Sequence, residues 1–183
     1  MAQKGFHHDM SECIGCKACQ IACKDKNNLK VGALYRRVYD LETGKFPSPR
    51  VGHISLSCNH CEQPKCVQNC PTGALQKRED DGIVLHDRDK CIGCRLCTWS
   101  CPYNAPQYKE EIGKVGKCDG CADLVAKGEN PACVDACVMR CLHFSDIDQL
   151  KQEYGNTADM KGLPNSETTH PNVVITVKEP WKI

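Results

Sequence analysis

Residues 91–102 read Cys-Ile-Gly-Cys-Arg-Leu-Cys-Thr-Trp-Ser-Cys-Pro, the spacing C-x2-C-x2-C-x3-C-P, and no other stretch restricts the chain so strongly. Three thiolates spaced this closely can take three corners of one 4Fe-4S cubane, while the short loop between them wraps the inorganic core and turns its amides toward sulfur. The fourth cysteine of such a run faces away and ligates a neighbouring cluster. A single CxxC pair would fit many chemistries. Four cysteines at this spacing, closed by proline, point to iron-sulfur binding.

Sixteen of the seventeen cysteines fall into four groups of four. The first is Cys13, Cys16, Cys19 and Cys23, the ferredoxin spacing followed by Lys24 in place of proline. The second, Cys58, Cys61, Cys66 and Cys70, widens one loop and ends at Pro71. The third is the run above. The fourth, Cys118, Cys121, Cys133 and Cys137, carries an eleven-residue insertion between its second and third members. So regular a pattern, with an odd total, does not describe a disulfide scaffold.

The crossing rule then assigns ligands. The second and third groups both end in Cys-Pro, so Cys58, Cys61 and Cys66 pair with Cys101, and Cys91, Cys94 and Cys97 with Cys70. The first and fourth groups are left for each other: Cys13, Cys16 and Cys19 with Cys137, and Cys118, Cys121 and Cys133 with Cys23. The expected fold is α+β, two ferredoxin-like modules with long loops, each holding two 4Fe-4S clusters. Residues 50–117 form the central module. Residues 1–49 with 118–155 form the second, and residues 156–183 a C-terminal extension. Only 40% of the 183 residues are hydrophobic and 5% aromatic, so the clusters themselves must serve as folding cores.

Formal net charge is +1 with neutral thiols, which argues against a nucleic-acid partner. Each oxidised cubane with four thiolates carries about two negative charges, so four would bring the loaded chain to about −7. No run approaches the roughly 18 apolar residues of a membrane span; the most apolar piece is Val173-Val174-Ile175-Thr176-Val177. Met1-Ala2-Gln3-Lys4-Gly5 lacks the apolar core of a signal peptide and any twin arginine, so export would require travelling with a partner.

Coarse patterning places strands at residues 4–9, 35–41, 53–57, 83–86 and 173–177 and a strand pair around Gly113. It places helical turns from Cys19 to Asn28, over Thr72-Gly73-Ala74-Leu75, and from Ala122 to Lys127. Ser145-Asp146-Ile147-Asp148 resembles a capping box opening a helix to Gly155, with Ile147, Leu150 and Tyr154 on one face.

Zinc is the rival metal, but a third cysteine two residues beyond a CxxC pair is surplus for structural zinc and needed for a cubane. Cysteine at position 97 permits a full four-iron core. Arg95 and Lys17, inside cluster loops, would favour the reduced, more negative state. Trp99 reads as cluster packing, His60 as a non-ligand, and His7 and His8 as part of a solvated strand. Cys137 keeps the x3 spacing from Cys133 and is the expected ligand; Cys141 is the spare, a buried or idle thiol. No Ser/His/Asp set, carboxylate pair or phosphate-binding loop stands out, so no catalytic residue is expected.

Ser57-Cys58-Asn59-His60-Cys61-Glu62, Cys70-Pro71-Thr72-Gly73-Ala74, Cys91-Ile92-Gly93-Cys94-Arg95, Cys101-Pro102-Tyr103-Asn104-Ala105-Pro106-Gln107-Tyr108 and Lys117-Cys118-Asp119-Gly120-Cys121 together resemble the iron-sulfur electron-transfer subunits of the dimethyl sulfoxide reductase group of molybdopterin oxidoreductases. The resemblance runs from about residue 5 to about residue 177. It departs at Val138, where the family usually has proline, at Asn104 for a common glycine, and at Cys141 for a usual alanine. It implies a non-catalytic subunit with four 4Fe-4S clusters, relaying electrons between a quinol-linked membrane anchor, or another donor, and a molybdenum or tungsten bis-pterin catalytic subunit. The implied place is peripheral to the cytoplasmic membrane within a complex, or extracytoplasmic by export with the partner. The rival expectation is a free-standing cytoplasmic polyferredoxin.

Overall fold

The computed structural model describes residues 3–183; Met1 and Ala2, the start of the expected second module, lie outside the described residues. The chain is a small mixed α/β protein whose elements are short. Strand β1 (Lys4–Asp9) lies between β8 (Leu142–Asp146) and β9 (Val173–Thr176), antiparallel to the former and parallel to the latter. β-Branched residues in β9 suit this two-sided burial: Val173, Val174 and Ile175 are all buried. Phe6 sits opposite both Phe144 and Val173, its ring 4.7 Å from that of Phe144.

Helix α6 (Ile147–Tyr154) closes one face of this sheet with Ile147 and Leu150 packed on Val174 and Tyr154 beside them. The expected apolar face is therefore present, but the capping box is not. Asp146 occupies the N-cap with no side-chain cap bond, because its carboxylate pairs with Lys4 at 2.7 Å, while Ser145 bonds Gln149.

Three two-stranded ladders carry the remaining strands: β2 (Arg37–Thr43) with β3 (Arg50–Leu56), β4 (Leu75–Lys77) with β5 (Val84–His86), and β6 (Gln107–Lys109) with β7 (Lys114–Gly116). The helix expected over residues 72–75 is absent. Gly73 turns through a left-handed φ of 63°, and Leu75 pairs with His86 across the β4–β5 ladder. The helix of that region comes earlier, as α2 (Lys65–Gln68).

Leu75 and Val84 are almost fully buried and pack with Cys66, Cys97 and Val115; burial of each such aliphatic side chain contributes about 2 kcal/mol. The larger core mixes Phe6, Met10, Ile54, Leu142, Ile175 and Trp181 with seven buried cysteines. Apolar packing and thiol burial are thus one cluster. Among the described residues no helix is long and apolar enough to cross a membrane.

Candidate metal centres

Each cysteine group begins with the same backbone device. The residue before the second cysteine adopts positive φ: Gly15 (69°), His60 (45°), Gly93 (72°) and Gly120 (68°). In the first and third groups the residue after that cysteine does so too, Lys17 and Arg95 at 63°. Left-handed residues on either side of the second cysteine curl the loop and gather its amides on one side, the concavity an anionic core requires. At Gly93 there is a second reason for glycine, since a Cβ would stand 2.1 Å from the Gly113 carbonyl oxygen.

A short helix follows each loop and places the third cysteine at its second position: Cys19 in α1 (Ala18–Lys26), Cys66 in α2, Cys97 in α3 (Leu96–Ser100) and Cys133 in α5 (Ala132–Asp135). The fourth cysteine always comes four residues on, one turn along or just past the helix. The short α4 (Ala122–Val125) begins directly after Cys121 and fills part of the insertion.

Three cavities gather these thiols. One, with free space of about 300 Å³ including its rim, is lined by Cys91, Cys94, Cys97 and also Cys70. A second, about 370 Å³, is lined by Cys58, Cys61, Cys66 and Cys101. The third, about 310 Å³, is lined by Cys13, Cys16, Cys19 and Cys137, with His8 and Cys141. For the remaining set, the charges that act on Cys23 include those of Cys133 and Cys121, and those on Cys118 include Cys23, Cys58 and Cys133.

Every cysteine is a free thiol. Burial pushes the thiols of Cys23, Cys61 and Cys66 up to about 12 and those of Cys97 and Cys121 to about 11, so without metal they hold their protons. Binding of iron displaces those protons. The donor set fits a 4Fe-4S core: soft sulfur donors, at least four to each of the three cavities, in largely apolar walls. It does not fit zinc, whose four sulfurs must stand about 2.3 Å from one ion. Among the described residues, His8, Cys13 and Cys141 are the one group of three or more potential ligands whose donor atoms lie within 4.8 Å of one another.

Several neighbours differ from expectation. His7 and His8 are not solvated; both are fully buried in the central strand, and His8 lines the third cavity. The sheet covers β1 on both edges and α6 covers a face, which six residues of sequence do not reveal. Trp99 packs against no cluster wall: it is 86% exposed. His60 is buried, with Nδ1 accepting from the Val84 amide at 3.0 Å, which occupies the ring nitrogen nearest Cys58. Lys17 is paired with Asp40 at 2.9 Å, and Arg95 lies over the Tyr108 ring at 3.6 Å.

Cys141 is buried as expected, yet its sulfur is 3.5 Å from that of Cys137. The sulfurs of Cys141 and Cys13 also lie within 4.8 Å of each other, and this proximity lowers the pKa of Cys13 and raises that of Cys141.

Sequence reasoning missed the buried cations. Arg36 is 2% exposed, and Lys117 is buried with its ammonium donating to the carbonyls of Val84 and Cys118. Lys77, half-buried, donates to the carbonyls of His60, Cys61 and Gly82 and to Gln3, and what burial it has lowers its pKa. None of the three is ion-paired with a carboxylate among the described residues. Cations so placed are costly unless something nearby is negative. The one available signal, basic residues next to cluster runs, covers Lys117 but not Arg36, which stands 22 residues before Cys58.

Comparison with known proteins agrees with this chemistry. A family model described as 4Fe-4S dicluster domain matches residues 50–147, and one described as 4Fe-4S binding domain matches residues 10–32. The chain is 47% identical over 181 residues to the B chain of anaerobic dimethyl sulfoxide reductase from Escherichia coli, covering 94% of this chain and 88% of that protein. It is 33% identical over 222 residues to the B subunit of sulfite dehydrogenase from Allochromatium vinosum, covering 100% and 92%. It is 39% identical over 147 residues to the thiosulfate reductase electron transfer subunit PhsB of Salmonella typhi, covering 78% and 75%. The chain therefore belongs to the 4Fe-4S dicluster family, among the iron-sulfur electron-transfer subunits of dimethyl sulfoxide reductase and its relatives.

Proposed function

We propose that the chain is the electron-transfer subunit of a molybdoenzyme complex, holding four 4Fe-4S clusters and relaying single electrons to or from a molybdopterin catalytic subunit. It performs no substrate chemistry itself. A bound cubane supplies a one-electron couple whose two states differ by one charge with the same ligands. The chain's own residues hold the cores, exclude water and set the order of the sites.

One observation carries this reading: cysteines from distant groups line common cavities, Cys70 with Cys91, Cys94 and Cys97, and Cys101 with Cys58, Cys61 and Cys66. Helices α2 and α3 thereby each serve two sites. We assign the ligand sets accordingly: Cys58, Cys61, Cys66, Cys101; Cys91, Cys94, Cys97, Cys70; Cys13, Cys16, Cys19, Cys137; and Cys118, Cys121, Cys133, Cys23. Each crossed pair is one ferredoxin-like module, residues 50–117 and residues 1–49 with 118–155, and residues 156–183 follow as an extension.

The sites fall in a row. The Cys13 and Cys118 sites share α1 and α5, the Cys58 and Cys91 sites share α2 and α3, and Cys118 lies within electrostatic reach of Cys58. At the two ends Cys16 and Cys94 are exposed, whereas the Cys118 and Cys58 sites are formed mainly by buried thiols. A row with exposed ends accepts an electron at one and delivers it at the other. We assign one end to the catalytic subunit and the other to a membrane anchor, which places the complex at a membrane surface.

Anaerobic iron analysis tests the cluster count: about sixteen irons per chain are expected from four sites of four. Reconstitution tests the relay. The iron-loaded chain alone should accept electrons from dithionite without turning over an S-oxide, sulfite or thiosulfate, and turnover should appear when the catalytic subunit is added. Turnover by the chain alone, freed of trace partner, would sink the reading.

A further inference from the structure

Arg36 precedes β2 and is buried against the apolar core, its Cζ 4.6 Å from the centre of the Phe6 ring. One terminal nitrogen donates to the Ser55 carbonyl at 3.2 Å and to the Ser55 hydroxyl at 3.1 Å, and the other donates to the Ser57 hydroxyl at 2.9 Å. Its Nε has no partner. Phe6 and the two serines are neutral, so nothing among these contacts balances its charge. Burial opposes the charge, and the groups that act most strongly in its favour are Cys133, Cys118, Cys19 and Cys23, which are thiolates once they hold metal.

Ser55 adds direction. Its hydroxyl oxygen accepts from Arg36, which has only donors, so the single hydroxyl proton is free to point elsewhere. The Cys19 sulfur lies 3.4 Å from that oxygen. A metal-bound cysteine has no proton to give, so Ser55 must be the donor. Arg36, Ser55 and Cys19 thus form one relay of positive potential that ends on a cluster ligand.

Resting on the cluster assignment above, we propose that Arg36 sets the reduction potentials of the Cys13 and Cys118 sites together, as their shared buried counter-charge, reaching the Cys13 site through Ser55. Reduction adds one electron and makes the site one unit more negative with no ligand lost. A fixed cation beside it stabilises that state more than the oxidised one, which raises the potential. Burial keeps salt from screening the effect. The Cys91 site stands at the far end of the row assigned above, and none of its thiols is among the largest charges acting on Arg36, so the effect there is the weakest.

The test is an EPR-monitored redox titration of the anaerobically purified, iron-loaded full chain. Signals are assigned with single-ligand variants such as Cys16→Ser and Cys94→Ser. Arg36→Gln should shift the reduction equilibrium of the Cys118 and Cys13 sites about tenfold toward the oxidised form, a midpoint lower by about 59 mV for a one-electron couple. The Cys91 site should move least, and Arg36→Lys should hold both midpoints to within about threefold in the equilibrium, given that it keeps the charge. Ser55→Ala should lower the Cys13 site alone. Unmoved midpoints in iron-replete Arg36→Gln, or an equal fall at all four sites, would overturn the proposal. Should Arg36→Gln lose its iron, an unmoved Cys13 site in Ser55→Ala overturns it by itself. Wild-type chain that takes up no iron defeats the cluster assignment and this inference with it, whereas iron-replete variants with wild-type potentials defeat this inference alone.

Discussion

The sulfur atoms of Cys137 and Cys141 lie 3.5 Å apart, on the wall of one cavity. Spacing favours Cys137 as ligand, but the second thiol stands close enough to take over with a small side-chain movement. We therefore expect Cys141→Ala to keep about sixteen irons, and Cys137→Ala to keep them too, with an altered EPR line shape at the Cys13 site. The double variant should lose about four. If Cys137→Ala alone loses them, Cys141 is not a substitute.

A second prediction concerns acid. His7 is fully buried, its ring stacked 3.7 Å from that of Tyr154 and its Nε2 2.9 Å from the Thr176 hydroxyl. Burial, helped by His143 and His8 and opposed by Asp9 and Glu153, lowers its pKa to about 4. The unfolded state takes up this proton more readily than the folded one. The linked stability is full above about pH 6.5 and falls as pH drops toward 4, by about 3 kcal/mol at most. Denaturant titrations of wild type and His7→Phe between pH 4.5 and 7.5 should diverge in slope, the variant losing less on the acid side. Parallel curves would show that His7 carries no such linkage.

The left-handed loop before Cys94 gives a third. Gly93→Ala must hold a Cβ at φ 72° and against the Gly113 carbonyl. The conformation alone costs about 1 kcal/mol and the contact adds to it. We expect a chain short of about four irons, with the missing signal at the Cys91 site and the others intact. A full complement would mean that the loop yields without releasing its core.

Exposure and burial of two aromatics give a fourth. Trp99→Ala should change stability by less than about 0.5 kcal/mol and leave the iron count alone, because the side chain is 86% exposed. Phe6→Ala should cost about 3 kcal/mol or more, because the ring is 4% exposed and supports both Phe144 and Arg36. Thermal melts of the two loaded variants would show the contrast.

Much of this was legible in the residues. Thiol spacing is a local property, and it marked the chemistry at once; β-branched runs such as Val173–Thr176 marked strands just as directly. What local pattern could not give is what lies across the fold. His7 and His8 look like polar strand residues until β8, β9 and α6 close over them. The helix expected at Thr72–Leu75 yields to pairing with Val84–His86, a partner that propensity does not see. Arg36 is the clearest case, since its meaning depends on Ser55, Cys19 and Cys118, none of them near it in sequence.

The cavity that gathers Cys13, Cys16 and Cys19 with Cys137 also has a consequence in time. A ribosome adding about 5 to 20 residues per second delivers Cys137 on the order of ten seconds after Cys13. Through that interval three closely spaced thiols are outside the peptide exit with no partner strand, since β1 waits for β8 and then β9. Iron cannot be sealed into this site in the meantime. Assembly there waits until Cys137 has emerged, and the nascent chain passes through a stage in which Cys13 and Cys19, half-buried and buried after folding, stand as open to oxidants as Cys16.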